Sequence, residues 1–159
     1  MNEKYAKLGL FSAIAIIFGY VETLIPVVAG IPGIKLGLAN LAILFILERY
    51  TYKEAIVVSL IRIVVIGFLF GNMFSIIYSL TGAALSLTVM TLLKNRTDAS
   101  LWAVSMAGGI SHNMGQLMIA MLIVENTSLI YYAPALLISG LLTGLAIGWL
   151  TTETLKRIG

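Results

Sequence analysis

Arg62 is the charged residue that lies deepest in an apolar segment of this sequence. It stands about nine residues into a predicted helix from Lys53 to Phe70, or about 13 Å at 1.5 Å per residue. A guanidinium cannot shed its proton, and an isolated charge near the middle of a hydrocarbon layer about 30 Å thick is costly. Arg62 therefore needs a carboxylate, an anionic ligand or a water-filled cavity. A buried ion pair with Glu22, the only carboxylate inside another apolar segment, and a ligand site are the two alternatives.

A second polar group lies in the pattern Gly108-Gly109-x-Ser111-His112-Asn113-x-Gly115-Gln116. On a helix predicted from Ser100 to Val124, His112 and Gln116 are spaced i, i+4 and share a face, with Asn113 beside them. This grouping favours a ligand pocket in which His112 donates to a ligand oxygen or titrates. The alternative is a hydrogen-bond network between helices that approach closely at the glycines. Because the chain has one histidine and no cysteine, we expect no metal site.

A third candidate is the segment Pro32-Gly33-Ile34-Lys35-Leu36-Gly37-Leu38-Ala39-Asn40. A Pro-Gly turn leads into a short predicted helix, whose first backbone N–H groups can point at an anion. Lys35 adds a positive charge there, and Asn40 adds an amide. The same turn could instead simply close the first loop. Taken with Arg62 and His112, the segment predicts a cavity that accepts an anionic or polar head beside apolar walls.

The composition indicates whether these residues lie in water or in lipid. Of the 159 residues, 60% are hydrophobic and 11% are charged, and the mean hydropathy is +1.03. A soluble domain typically carries roughly 25% charged residues, so lipid is the expected environment. The net charge of +3 sits in short segments between helices, which argues against nucleic acid as a partner. With a single aspartate, Asp98, the chain has no aspartate-rich motif for magnesium-dependent prenyl transfer, so we expect neither an enzyme nor a cofactor.

The apolar segments predict one domain over residues 1–159, an all-α six-helix transmembrane bundle. Eight of the ten Lys and Arg residues fall on one side if the N-terminus is cytoplasmic, and Lys35 alone falls in an outer loop. This bias predicts cytoplasmic termini and a multi-pass protein of the cell membrane. The approximate spans are 7–28, 36–47, 53–70, 73–93, 100–124 and 131–151.

Small residues recur at helical spacing in the first and last predicted helices. The pairs are Gly9-x-x-x-Ala13, Ala15-x-x-x-Gly19 and Gly140-x-x-x-Gly144. Such pairs let helices approach closely. They indicate either a docking face for a partner membrane protein or ordinary packing inside the bundle.

The motifs together resemble a family. Glu22-x-x-Ile25-Pro26, the segment from Pro32 to Asn40 and the Gly108–Gln116 pattern look like small bacterial membrane proteins called heptaprenyl diphosphate synthase component I, or the Gx transporter family. That family is similar to the S components of energy-coupling factor transporters, which are six-helix bundles. The resemblance implies ligand capture from outside and docking on a transmembrane coupling protein with two ATPases. In this chain the docking region would comprise Gly9, Ala13, Ala15 and Gly19.

The leading hypothesis is a membrane substrate-binding or transport protein for a small ligand or an isoprenoid- or quinone-related one. Its site would be lined by Glu22, Lys35, Asn40, Arg62, His112, Asn113 and Gln116. One alternative is a non-catalytic membrane subunit of heptaprenyl diphosphate or menaquinone synthesis, as the family label implies. Another is a membrane partner in quinone- or flavin-linked electron transfer.

Overall fold

The computed structural model describes residues 3–24 and 37–158, and in this part of the chain every regular element is a helix. The all-α prediction is therefore confirmed for these residues. The elements are α1 (Glu3–Leu24), α2 (Leu38–Arg49), α3 (Tyr52–Phe70), α4 (Met73–Arg96), α5 (Leu101–Val124), a 3₁₀ helix (Thr127–Tyr132) and α6 (Ala133–Ile158).

The helix starts follow from local side-chain chemistry. Thr51 and Glu54 form a capping box at the start of α3, and Asn72 and Ser75 form another at the start of α4. Both pairs satisfy backbone N–H groups that have no partner within the helix. Ser100 accepts from the Ala103 N–H at the start of α5, at 3.3 Å. The polar residues between apolar segments thus set these boundaries.

Three helices end beyond their predicted spans. α2 runs to Arg49, α4 runs to Arg96, and α6, which begins at Ala133 after the 3₁₀ helix, runs to Ile158. The predicted spans counted apolar residues only, whereas helical hydrogen bonding continues through the basic residues that follow. The end of the first predicted span, residues 25–28, lies outside the described residues.

Four helices of the described chain are long and apolar enough to cross a membrane: α1, α4, α5 and the continuous stretch Thr127–Ile158. They identify a membrane protein. α2 has 12 residues, whereas a span needs about 20. α3 has 19 residues but carries Lys53, Glu54 and Arg62. The count of six spans and the orientation of the termini stay predictions.

Glycines allow α5 and α6 to pack backbone to backbone. A Cβ on Gly140 would lie 2.7 Å from the carbonyl oxygen of Gly109, and one on Gly144 would lie 2.7 Å from the Ser105 oxygen. Gly148 faces Trp102 in the same way. Of the two interpretations of Gly140-x-x-x-Gly144, the structure therefore supports packing inside the bundle.

Most of α2 is buried inside the bundle. All six residues from Ala42 to Leu47 are buried, and all of them except Phe45 form a core with residues of α1, α3, α4, α5 and α6. Lys94 of α4 fixes its end, because the Lys94 Nζ donates to the Leu47 carbonyl at 2.6 Å and forms an ion pair with Glu48 at 3.0 Å. α2 also packs against α1 and α3, and its first turn, with Asn40, lies at the candidate site.

Candidate functional site

A cavity of about 190 Å³, called here the polar cavity, lies inside the bundle and is lined by residues of all six α-helices. Six of the seven predicted ligand-binding residues line it: Glu22, Asn40, Arg62, His112, Asn113 and Gln116. The seventh, Lys35, lies outside the described residues. Residues far apart in sequence are thus brought to one place by α1, α2, α3 and α5.

Arg62 is held by an amide and not by direct contact with a carboxylate. Its Nη2 donates to the Asn40 Oδ1 at 3.2 Å. Glu22 attracts it through charge, but among the described residues no carboxylate oxygen lies within 4.0 Å of the guanidinium. The Nε of Arg62 is buried and has no hydrogen-bond partner in residues 3–24 and 37–158. A contact ion pair with Glu22, one of the two alternatives, is therefore not formed here.

Glu22 has a local partner instead. Its Oε1 accepts from the backbone N–H of Gly37, the residue that precedes α2. Gly37 has a φ of 73°, a left-handed conformation that favours glycine. The first N–H groups of a helix attract negative charge. The sequence predicted an anion at this helix start, and the structure places the protein's own Glu22 carboxylate there.

The polar residues of α5 divide into two roles. The Asn113 Nδ2 donates to the Leu136 carbonyl at 2.8 Å, so this amide links α5 to α6. Gln116 is 1% exposed, and its Nε2 has no partner within the described part of the chain. His112 is half-buried and lies close to Gly82 of α4. Asn113 thus makes an interhelical hydrogen bond, as the second alternative predicted, whereas a ligand contact stays a prediction for His112 and Gln116.

The sequence reasoning missed four hydroxyl-bearing residues in the cavity wall: Thr23, Ser75, Ser79 and Thr143. Ser75 and Ser79 are spaced i, i+4 at the beginning of α4, and Gly82 and Ser86 continue the same face. This row of small and hydroxyl-bearing residues is the sequence signal that could have identified Ser75 and Ser79. Phe70 adds an aromatic wall, and its ring packs against that of Tyr20 at an interplanar angle of 38° with the centroids 4.6 Å apart.

The Arg62 Nε and the Gln116 Nε2 are called here the two open donors. A buried donor without an acceptor costs about 1–3 kcal/mol, which an oxygen acceptor on a ligand would recover. Both groups donate and neither accepts at these atoms. Among the residues that the structure describes, no three His, Cys, Asp or Glu side chains are grouped as metal ligands. The arrangement is suited to holding an oxygen-rich head group.

The four candidate docking residues on α1 face different surroundings. Ala15 is 0% exposed, and Gly19 is buried against Ile66 of α3, where it also lines the polar cavity. Gly9 and Ala13 are exposed, and a Cβ on Gly9 would meet no atom within 4 Å in the described chain. Ala15 and Gly19 therefore pack inside the bundle, and a docking role stays a prediction for Gly9 and Ala13.

A comparison with protein-family models identifies the family. The model described as heptaprenyl diphosphate synthase component I matches residues 11–154. This range includes all the residues that line the polar cavity. No curated protein matches the chain, and no solved structure matches it. The similarity to S components of energy-coupling factor transporters therefore stays a prediction. Because the match covers most of the 159 residues, the chain belongs to the heptaprenyl diphosphate synthase component I family.

Proposed function

We propose that this chain is a membrane substrate-binding protein that captures a ligand through oxygen acceptors in the polar cavity. The observation that carries the proposal is the pair of open donors, Arg62 Nε and Gln116 Nε2, buried in the wall of the same cavity. A carboxylate, a phosphate or a carbonyl supplies acceptors for both. An anionic head also offsets the charge of Arg62, which the contact with Asn40 leaves unbalanced.

The setting of the site fits a transport role. We place the protein in the bacterial cytoplasmic membrane with six spans and both termini in the cytoplasm, as the distribution of Lys and Arg indicates. The polar cavity is lined by Glu22 and Thr23 at the end of α1 and by Gly37 before α2, and the same topology places these ends of the helices on the outer side. The ligand then enters from that side, and the exposed Gly9 and Ala13 on α1 are available for a transmembrane coupling protein with ATPases.

Native mass spectrometry of protein purified in lipid nanodiscs tests the proposal. Wild-type protein should retain a bound ligand, and Arg62→Met and Gln116→Leu should each lower its occupancy about tenfold, the effect of losing one hydrogen bond to a charged group. Arg96→Met and Asn95→Leu are the matched controls, because both residues are exposed at the end of α4 and neither lines the polar cavity. Equal occupancy in all five proteins would contradict the proposal.

The family description favours a second candidate function. A protein called component I of heptaprenyl diphosphate synthase would act as a non-catalytic membrane subunit that presents a lipid to a soluble prenyltransferase. Co-purification of such an enzyme, together with a change in its product chain length when this chain is absent, would support the subunit role. Ligand retention without any such enzyme would favour the substrate-binding protein.

A further inference from the structure

An apolar groove between α3 and α4 is not used by the proposed function. This α3–α4 groove has a volume of about 530 Å³, within the range of pockets that hold drug-sized ligands. Along α4 it extends from Leu80 to Leu92, about 18 Å at 1.5 Å per residue. Ile56, Leu60 and Ala84 line it and are exposed, so it opens at the surface of the bundle. Its shape and apolar lining suit a hydrocarbon chain.

The groove and the polar cavity share a wall. Ile63 lines both of them and is 5% exposed. It packs with Ile76 and Ala83 of α4 in a small cluster. At this point the Ile63 side chain stands between the polar cavity and the groove. The preceding residue, Arg62, carries the buried positive charge of the polar cavity. A cationic head site and a chain-shaped apolar groove therefore adjoin at consecutive residues of α3.

We propose that the α3–α4 groove holds the hydrocarbon chain of a single-chain amphipathic ligand, which passes from the polar cavity into the groove when the Ile63 side chain turns away from Ile76 and Ala83. Its head of acceptor oxygens, a phosphate or a carboxylate, binds the two open donors in the polar cavity. This inference rests on the proposed function and adds the class of ligand to it. Apolar contact alone gives no preference over bulk lipid, because lipid tails are as apolar as the groove. The preference comes from the head, and the groove restricts the ligand to one that carries a chain.

Photo-labelling tests the chain site directly. The probe is hexadecyl phosphate with a diazirine in the middle of its chain, added to the protein in phosphatidylcholine nanodiscs. The labelled residues, mapped by mass spectrometry, should be those of the groove on α3 and α4. Arg62→Met removes the head contact, and Ala84→Phe fills the groove. Each variant should lower the labelling of the groove residues about tenfold. This is the effect expected from losing a hydrogen bond to a charged group or a contact of similar energy. Ala6→Phe, at an exposed position of α1, is the matched control and should label as wild type.

The outcomes separate the chain site from the proposed function. If phosphatidylcholine with the same diazirine chain labels the groove equally and Arg62→Met changes nothing, the groove holds bulk lipid only and the inference is overturned. If ligand occupancy depends on Arg62 and Gln116 while Ala84→Phe leaves groove labelling unchanged, the proposed function stands and the chain site falls. If wild-type protein neither retains a ligand nor shows head-dependent labelling, both fall. Thr88→Phe fills the same groove and replaces Ala84→Phe should that variant fail to fold.

Discussion

The helices α4, α5 and α6 form the half of the bundle in which neighbouring helices approach at glycines, whereas α1, α2 and α3 form the half that carries the charged residues of the interior. On the first side, backbone atoms of Gly109 and Gly140 leave no room for a Cβ. On the second, Glu22 and Arg62 occupy an interior that lacks a contact ion pair among the described residues. Close packing is rigid, and unbalanced buried charge is costly. The comparison indicates that close glycine packing holds α4, α5 and α6 together, while the proposed site takes one open donor from each half, Arg62 from α3 and Gln116 from α5.

The largest expected effect comes from a change that separates α5 from α6. Gly140→Ala places a Cβ 2.7 Å from the Gly109 carbonyl oxygen and 2.8 Å from its carbon. Because both atoms belong to backbone, relief requires separating α5 from α6, at a cost of about 1–3 kcal/mol or more. We expect a clear fall in the midpoint of thermal unfolding, followed by tryptophan fluorescence in detergent.

Gly9→Ala is the matched control for this change, since the site on α1 is open and Ala favours a helix by up to about 1 kcal/mol over Gly. It should leave the midpoint unchanged or raise it. If Gly140→Ala were equally harmless, α5 and α6 could not be packed as described.

The second prediction concerns the link between the halves. Lys94→Met removes the donor to the Leu47 carbonyl and the ion pair with Glu48 at the end of α2. We expect a loss of about 1–2 kcal/mol, because the carbonyl groups at a helix end lose a charged donor. The measurement is the free energy of unfolding in a denaturant titration. Arg96→Met, two residues further along α4 and exposed, should show a smaller change, and a change of equal size would mean that net charge and not this contact is responsible.

The third prediction compares binding with stability inside the charged half. Arg62→Met replaces a buried cation by an apolar side chain of similar length. Because Arg62 has no contact ion pair among the described residues, removing its charge also removes the desolvation cost of burying it. In ligand-free protein we therefore expect an unchanged or higher unfolding midpoint, together with the loss of ligand described above. A large destabilisation would show that Arg62 is structural and would remove the main support for the binding site.

The smallest expected effect is at the start of α2. Glu22→Gln keeps an acceptor for the Gly37 N–H but removes the negative charge from the helix N-terminus, at a cost of about 0.3–1 kcal/mol. The unfolding midpoint should fall slightly. Hydrogen exchange at the first turn of α2 should rise relative to wild type, and protection as strong as in wild type would show that the charge is dispensable there.

The sequence by itself determined that the chain is an α-helical membrane protein of this family and which residues were candidates for its site. The reason is that lipid excludes polar groups, so the few polar residues of apolar helices such as Arg62 and Gln116 stand out in one dimension. The sequence did not reveal that Ser75 and Ser79 line the polar cavity, because hydroxyl groups are tolerated in helices and are a weak indication of a site.

Only the tertiary structure decided how those residues pair. Hydrogen-bond partners of Asn113 and Glu22 lie 23 and 15 residues away in the chain, and no local pattern specifies them. The same holds for small residues: Gly19 is buried and Gly9 is exposed, although both occur in the same kind of motif. Burial and partner choice depend on which helix lies opposite, and that is fixed by packing between segments distant in sequence and not by the spacing within one of them.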